Sequence, residues 1–355
     1  MRPPLKTAIQ SLLVSELEDE VHPAYRAKQI VEWLYAKRAD SFDGMTNLPQ
    51  AVREHLGTKF AFEKLEQVRV LGSKDTTQKF LWRLRDGNLI ESVLIPASPA
   101  LYGDRSDRRT ICVSTQVGCA YGCKFCASGL EGFSRNLQAS EILQQLIAVE
   151  AASGEKIDNV VFMGMGEPLA NFESVSRAIH IINAPWGLGI GARRITISTS
   201  GLAPEIRKLA NDPIQVRLAV SLHGATDQVR SKIMPVNRKY DVATLLDACQ
   251  YYGRHKKQRI TFEYILIDGV NDSDEQALEL AKHCARIGAK VNLIPYNTVD
   301  GLEWRRPSRA RQERFLSILH QHGAAATLRR EKGHDIEAAC GQLRLQTQRE
   351  ELVEP

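Results

Sequence analysis

Thr110-Ile-Cys-Val-Ser-Thr-Gln-Val-Gly-Cys-Ala-Tyr-Gly-Cys-Lys-Phe-Cys126 decides how this chain is read. The stretch opens as a strand over residues 110–114 and passes into a loop carrying Cys119, Cys123 and Cys126. Gly118 and Gly122 let that loop bend, because glycine enters left-handed backbone at no steric cost. Thiols this close together call for a metal or redox explanation. The seven cysteines, with no secretory leader pattern at the N-terminus, do not read as a disulfide framework. A structural zinc site would want four ligands, with Cys112 as a possible fourth. An iron–sulfur cube is usually held by four cysteines. Three would leave one iron open to chelate the amino and carboxylate groups of a small molecule. Simple buried thiols are the remaining reading, and the spacing and strand-end position favour the cube.

Downstream the pattern alternates. Strands are expected at 110–114, 159–162, 194–198, 217–221, 260–265 and 290–294. Helices are expected at 140–152, 173–182, 204–210, 242–252, 273–287 and 308–322, with Ser140 and Ser273 as N-caps and Gly288 as a C-cap. Such alternation means parallel strands with crossover helices. Six units fall two short of a closed barrel, so the expected fold class is α/β, an open partial (β/α)6 barrel. Parallel barrels carry their chemistry at the C-terminal strand ends, where the unusual polar motifs collect. Gly164-Met-Gly166-Glu167-Pro168, Ser198-Thr-Ser-Gly201, Ser221-Leu222-His223 and Asn297 each follow a strand. Radical SAM enzymes hold S-adenosylmethionine on the open iron of a cube. Here Gly166 and Glu167 would take its cationic amino group. Ser198, Ser221, Leu222, His223 and Asn297 would take its carboxylate, ribose or adenine.

The N-terminal part reads as a small accessory unit. Ile30, Val31, Leu34 and Tyr35 recur at helical spacing within 25–37, and a short helix is expected over 49–56. Strand-like runs follow at 66–71, 79–84 and 88–95, with Asp86-Gly87-Asn88 turning a hairpin. The expected division is an accessory domain over 1–95, a catalytic core over 96–345 and a tail over 346–355. The net charge of +5 is mild. Arginines gather at Arg305, Arg306, Arg309, Arg311 and Arg314 beside Trp304, at Arg105, Arg108 and Arg109, and at Arg329, Arg330 and Lys332. Such clusters suit phosphate contacts and base stacking, although on these residues alone a solvated helix face is the preferred reading. No run approaches the ~18 apolar residues of a membrane span, so no membrane partner and a cytoplasmic location are expected.

Taken together, the motifs resemble the RlmN/Cfr family of radical SAM RNA adenine methyltransferases. The resemblance is carried by residues 112–126, Gly132-Phe-Ser-Arg-Asn-Leu137, 164–168, Met234-Pro-Val-Asn-Arg-Lys-Tyr240, Gly269-Val-Asn-Asp272 and Asp335-Ile-Glu-Ala-Ala-Cys-Gly-Gln-Leu343. Tyr25-Arg-Ala-Lys-Gln29 and Met45-Thr-Asn-Leu48 extend it to the N-terminal part. Val117, Pro168 and Glu91-Ser-Val-Leu-Ile-Pro96 look more like the C2-methylating RlmN branch than the C8-methylating Cfr branch. Thr298 follows Asn297 where relatives often carry proline.

The resemblance implies one [4Fe-4S] cluster on Cys119, Cys123 and Cys126, two S-adenosylmethionine molecules per turnover, and an external donor of the flavodoxin type. Its implied substrates are an adenine of 23S rRNA in the peptidyl transferase centre and the adenine 3′ of the anticodon in some tRNAs. Cys340 would carry a methyl group, Cys112 would resolve the resulting RNA–enzyme bond by forming a disulfide with Cys340, and Glu91 is a candidate proton acceptor. Residue type alone reads Cys112 and Cys340 as core residues and Glu91 as a cross-strand surface carboxylate. Cys249 and Cys284 read as core. The rival functions are C8 methylation, activation of a glycyl radical on a partner protein, and non-enzymatic RNA binding by an iron–sulfur protein.

Overall fold

A computed structural model describes residues 6–97, 108–129, 132–297, 302–329, 343–344 and 347. Near the N-terminus, β1 (Thr7–Ala8) pairs in parallel with β2 (Phe60–Ala61). Between them lie α1 (Val14–Glu20), α2 (Tyr25–Val31) and α3 (Gln50–Lys59). Helix α2 runs on through a π-helical turn at Glu32–Ala36, and Ile30, Val31, Leu34 and Tyr35 are buried as their spacing predicts.

One ten-stranded sheet organises the rest. Three antiparallel strands come first, β3 (Glu66–Gly72), β4 (Gln78–Arg83) and β5 (Leu89–Pro96). β6 (Arg109–Cys112) begins the parallel part. β7 (Gln116–Gly118) and β8 (Phe133–Asn136) form a separate antiparallel pair that brackets the cysteine loop. Then α4 (Ala139–Ser153), β9 (Asn159–Phe162), α5 (Phe172–Asn183), β10 (Ile195–Thr199), α6 (Ala203–Asn211) and β11 (Arg217–Ser221) alternate. They are followed by α7 (Asp227–Ile233), α8 (Val242–Lys256), β12 (Thr261–Leu266), α9 (Asp274–Ile287), β13 (Lys290–Pro295), α10 (Arg309–Gln321) and β14 (Ala325–Leu328). Strand order is β14-β13-β12-β11-β10-β9-β6-β5-β4-β3. Its two ends are not paired to each other among the described residues, so this is the open, partial barrel that the alternation predicts.

Three details differ from expectation. A seventh parallel strand, β14, extends the sheet beyond β13. The strands β3 to β5 are not separate from the barrel, because β5 pairs antiparallel with β6 from Val93 opposite Cys112 to Pro96 opposite Arg109. That pairing covers the edge of β6, which would otherwise leave a row of backbone groups unsatisfied beside the cysteine loop. Helix α4 is capped by Gln138 rather than Ser140: the Gln138 N–H donates to Glu141 Oε2 at 2.8 Å, and Ser140 lies inside the first turn. Ser273 and Gly288 do cap α9, the serine hydroxyl accepting from the Gln276 N–H and the glycine lying in left-handed backbone.

Strand alternation divides the sheet into two faces. Ile195, Ile197, Phe262, Tyr264, Val291 and Leu293 point under the helices and are almost fully buried. Burial of this kind contributes roughly 1.5–3 kcal/mol per large apolar side chain. Their neighbours Ser198, Ser221, Glu263, Asn292 and Ile294 face the barrel interior and are less covered. No helix among the described residues is long and apolar enough to cross a membrane.

Candidate active site

A cavity of about 1030 Å³, its open mouth included, lies at the C-terminal ends of the parallel strands. Cys119, Cys123 and Cys126 line it together with Gly166, Glu167, Ser198, Ser221 and His223. Eight of the sequence-derived site residues thus share one space, as their strand-end positions predict.

The cysteine loop is shaped by its backbone. The Cys119 N–H donates to the Gly132 carbonyl at 2.9 Å and the Cys126 N–H to the Cys123 carbonyl at 3.0 Å. The Tyr121 and Gly122 N–H groups point at the Cys119 sulfur. Gly118 has φ +76°, and a Cβ there would stand 2.0 Å from the Gly132 carbonyl oxygen. Alanine at 118 therefore meets both left-handed strain of about 1–2 kcal/mol and a backbone clash. Gly118→Ala is expected to cut the iron bound after anaerobic reconstitution while far-UV circular dichroism stays unchanged; wild-type iron content in that variant would contradict this account of the loop.

The donor set suits an iron–sulfur cube. Burial, with repulsion from Cys126, pushes the Cys119 thiol up to about 11, and Cys123 is raised further by the same causes. Thiols held this way need the positive charge of bound metal to become ligands. Cys119, Cys123 and Cys126 stand on one loop and all three line the cavity. A cube spreads its cysteines over separate irons, whereas tetrahedral zinc gathers four donors at ~2.0–2.3 Å. Cys112, the possible fourth zinc ligand, is not among the residues lining the cavity.

Glu167 lies at the end of the β9 loop and is 3% exposed. Its Oε2 accepts from the Ser200 N–H at 2.6 Å and its Oε1 from the Leu169 N–H at 3.0 Å, joining the ends of β9 and β10. Burial raises its pKa against these hydrogen bonds. Gly164 and Gly166 are required by close approach: a Cβ on either would fall within 2.6 Å of Val113 or Gln116. The Ser200 hydroxyl is buried at the cavity wall and turned toward the Glu167 carboxylate.

His223 is fixed and neutral. Its Nδ1 accepts from the Ile265 N–H at 3.0 Å, and its ring meets Phe125 edge-on at 4.7 Å. Burial, with the nearby Arg230 cation, pushes its pKa down to about 3. With Nδ1 occupied as an acceptor, Nε2 carries the proton and is the donor this ring can offer. Leu222, by contrast, is fully buried and absent from the cavity lining. Only its backbone is engaged, the N–H with the Glu263 carbonyl and the carbonyl with Arg230. Asn297 is also outside the lining, its Oδ1 accepting from Arg306 at 2.6 Å.

Glu263 lines the cavity without having been singled out from the sequence, and Arg329, from one of the arginine clusters, lines it too. Glu263 is bonded by Asn292 Nδ2 at 2.7 Å, and burial raises its pKa. The signal was there in period two: Thr261, Glu263 and Ile265 share the inward face of β12, with Phe262 and Tyr264 on the other.

A second group lies on the same interior face. Cross-strand register places Val93 opposite both Cys112 and Lys79, and Glu91 two positions earlier on the same side. Cys112 and Glu91 are therefore diagonal neighbours, a spacing of roughly 7–8 Å. Glu91 is not a surface carboxylate: it is 2% exposed, Lys79 Nζ lies 3.2 Å from its Oε2, and the Arg344 N–H donates to its Oε1 at 2.6 Å. The strand walls bury it, which strand alternation alone does not reveal. Cys340 lies outside the described residues; four positions of chain separate it from Arg344. The implied Cys112–Cys340 disulfide therefore also lies outside them.

The sequence matches the radical SAM superfamily over residues 113–281 and the ribosomal RNA large subunit methyltransferase N-terminal domain over 16–61. It is 53% identical to a probable dual-specificity RNA methyltransferase RlmN 3 of Opitutus terrae, covering 99% of this chain and 97% of that protein. It is 46% identical to the dual-specificity RNA methyltransferase RlmN of Campylobacter fetus, over 93% and 95% of the two chains. Among solved structures, a radical SAM methyltransferase from Sphaerobacter thermophilus superposes with a TM-score of 0.87 at 45% identity, covering 95% of this chain and 98% of that one.

Proposed function

The chain belongs to the RlmN family of dual-specificity radical SAM RNA methyltransferases, and from that premise we propose that it methylates C2 of adenine in 23S rRNA and in tRNA. The observation that carries the reading is the gathering of Cys119, Cys123, Cys126, Glu167, Ser198, Ser221 and His223 around one cavity. The superfamily implies a [4Fe-4S] cluster and S-adenosylmethionine, which together supply a carbon radical able to take a hydrogen atom from a methyl group. In this reading Cys119, Cys123 and Cys126 hold the cluster. Glu167 and Gly166 meet the amino group of the methionine moiety, and Ser198, Ser221 and the His223 Nε2–H meet its polar remainder. Leu222 contributes backbone only, and Asn297 joins them once released from Arg306.

C2 lies between two ring nitrogens and is too electron-poor to attack a methyl donor as a nucleophile, so the carbon has to arrive as a radical. Cys340 presents it as a thioether methyl group. Once bonded to C2 the adduct holds one unpaired electron, which would pass back to the cluster, while the C2 proton passes to Glu91, held in place by Lys79 and the Arg344 N–H. The Cys112 thiolate then attacks the Cys340 sulfur. A sulfur–sulfur bond forms, the carbon–sulfur bond breaks, and the departing carbon takes the electron pair and a proton to become the methyl group. Turnover uses two S-adenosylmethionine molecules and an external donor of the flavodoxin type, which also returns the disulfide to thiols. The reaction takes place in the cytoplasm, with the N-terminal helices contacting RNA and the ten-stranded sheet, β4 and β5 with Lys79 and Glu91 included, performing the chemistry.

The test is anaerobic incubation of reconstituted protein with methyl-labelled S-adenosylmethionine and an unmodified 23S rRNA fragment or tRNA. Nucleoside mass spectrometry is expected to find 2-methyladenosine in both; label at C8, or none in either RNA, would overturn the reading.

A further inference from the structure

Under the floor of the cavity lies a cation that the reaction described above leaves without a role. Arg230, on α7, is 0% exposed. Its described hydrogen-bond partners are all uncharged oxygens. Nε donates to the Leu222 carbonyl at 3.1 Å, Nη1 to Asn237 Oδ1 at 2.8 Å, and Nη2 to the carbonyls of Ser200 and Ser221. Asp227, the carboxylate closest in sequence, acts on it electrostatically but makes no hydrogen bond to it among the described residues, its Oδ1 accepting from Asn237 Nδ2 and from the Val242 N–H. Burying a guanidinium without a paired carboxylate is costly, yet the chain is shaped to hold it. A Cβ on Gly201 would stand 2.9 Å from Nη2, and one on Gly224 would stand 2.7 Å from the Arg230 backbone nitrogen.

Further counter-charge lies on the cavity side. The Lys124 N–H, one residue after Cys123, donates to the Ile233 carbonyl at 3.0 Å and docks the cysteine loop onto the end of the arginine's helix. Cys123 and Arg230 act on each other electrostatically, each stabilising the charged form of the other. A thiolate-ligated cluster carries negative charge, and in a buried setting the Coulomb term between it and a cation is large. The carbonyls that Arg230 gathers belong to Ser200, Ser221 and Leu222, at the ends of β10 and β11 where the cofactor is read to bind.

We infer that Arg230 is a positioning residue for the cluster site: its charge offsets that of the Cys123-bound cluster and raises the potential at which the cluster accepts an electron, while its forked donors fix the cofactor-facing ends of β10 and β11. This rests on the cysteine loop being the cluster site.

The test is a redox titration of the reconstituted holoenzyme with dithionite and mediators, followed by electron paramagnetic resonance. In Arg230→Gln the ratio of reduced to oxidised cluster at fixed poise is expected to fall about tenfold, a downward shift of about 59 mV for a one-electron couple. Arg230→Lys keeps the charge and is expected to keep the wild-type midpoint, but to need more S-adenosylmethionine for the same spectral change because the fork is lost. If Arg230→Gln does not fold, Arg230→Met carries the test. It keeps the length of the side chain without its charge and is expected to lower the midpoint in the same direction. A wild-type midpoint in a cluster-loaded Arg230→Gln or Arg230→Met protein overturns the inference. A wild-type chain that binds no cluster would instead overturn the reading of the cysteine loop beneath it.

Discussion

Cys340→Ala holoenzyme is expected to load its cluster as the wild type does and to transfer no methyl group to adenine above background. The size of the effect follows from the substrate. An electron-poor ring carbon gives ordinary methyl transfer no foothold, so a route that bypasses the carrier sulfur is not a slower version of the same reaction. Alanine cannot hold a methyl group through a cleavable bond, and no other cysteine is placed to substitute. Cys249 and Cys284 are buried on α8 and α9 at 0% and 2% exposure, and Cys119, Cys123 and Cys126 are the proposed cluster ligands. Mass spectrometry of the RNA, with iron content measured on the same sample, checks it; methylation at the wild-type rate would end the carrier role.

Cys112→Ala is expected to fail later and differently. The bond between RNA and Cys340 forms, but nothing attacks the sulfur, so a protein–RNA species accumulates under turnover and catalysis stops after a single event per chain. A ribonuclease-sensitive band on a denaturing gel, absent from the Cys112→Ala/Cys340→Ala double variant, is the readout; its absence in the single variant would count against the resolving role. The register supports the contrast between the two cysteines. Cys112 stands opposite Val93 on the interior face of β6, diagonal to Glu91. The Arg344 N–H, four residues beyond Cys340, bonds to that same glutamate. The proposed base and the proposed resolving thiol thus share one wall.

The sequence discloses what is local and periodic. The strand at 159–162 and the helix over 273–287 emerge almost unchanged, because a strand's period and a capped amphipathic turn are written within a few residues. The cysteine loop is legible for the same reason. Pairing across distance is not: β5 joins β6 on the far side of residues 97–108, and no pattern in either strand records that partnership. β14 escapes because Ala325 to Leu328 is four residues of modest apolarity, made a strand by its parallel pairing with β13. Arg230 reads as one more polar position on a seven-residue helix, and only the fold turns it inward. The arginine-rich segment shows the reverse: Arg311 and Arg314 pair with Asp274, and Arg309 with Glu313, so much of that charge is met within the chain. Those pairs are open to solvent in part or in full, where screening leaves them little weight in stability.

Mössbauer and paramagnetic resonance spectra of the anaerobically purified chain test the three-thiol loop most directly. The account predicts a [4Fe-4S] cluster whose reduced signal changes when S-adenosylmethionine is added, and which is lost when Cys119, Cys123 or Cys126 becomes alanine. A single tetrahedral zinc at the loop, or a cluster indifferent to S-adenosylmethionine because a fourth side chain already caps it, would contradict it.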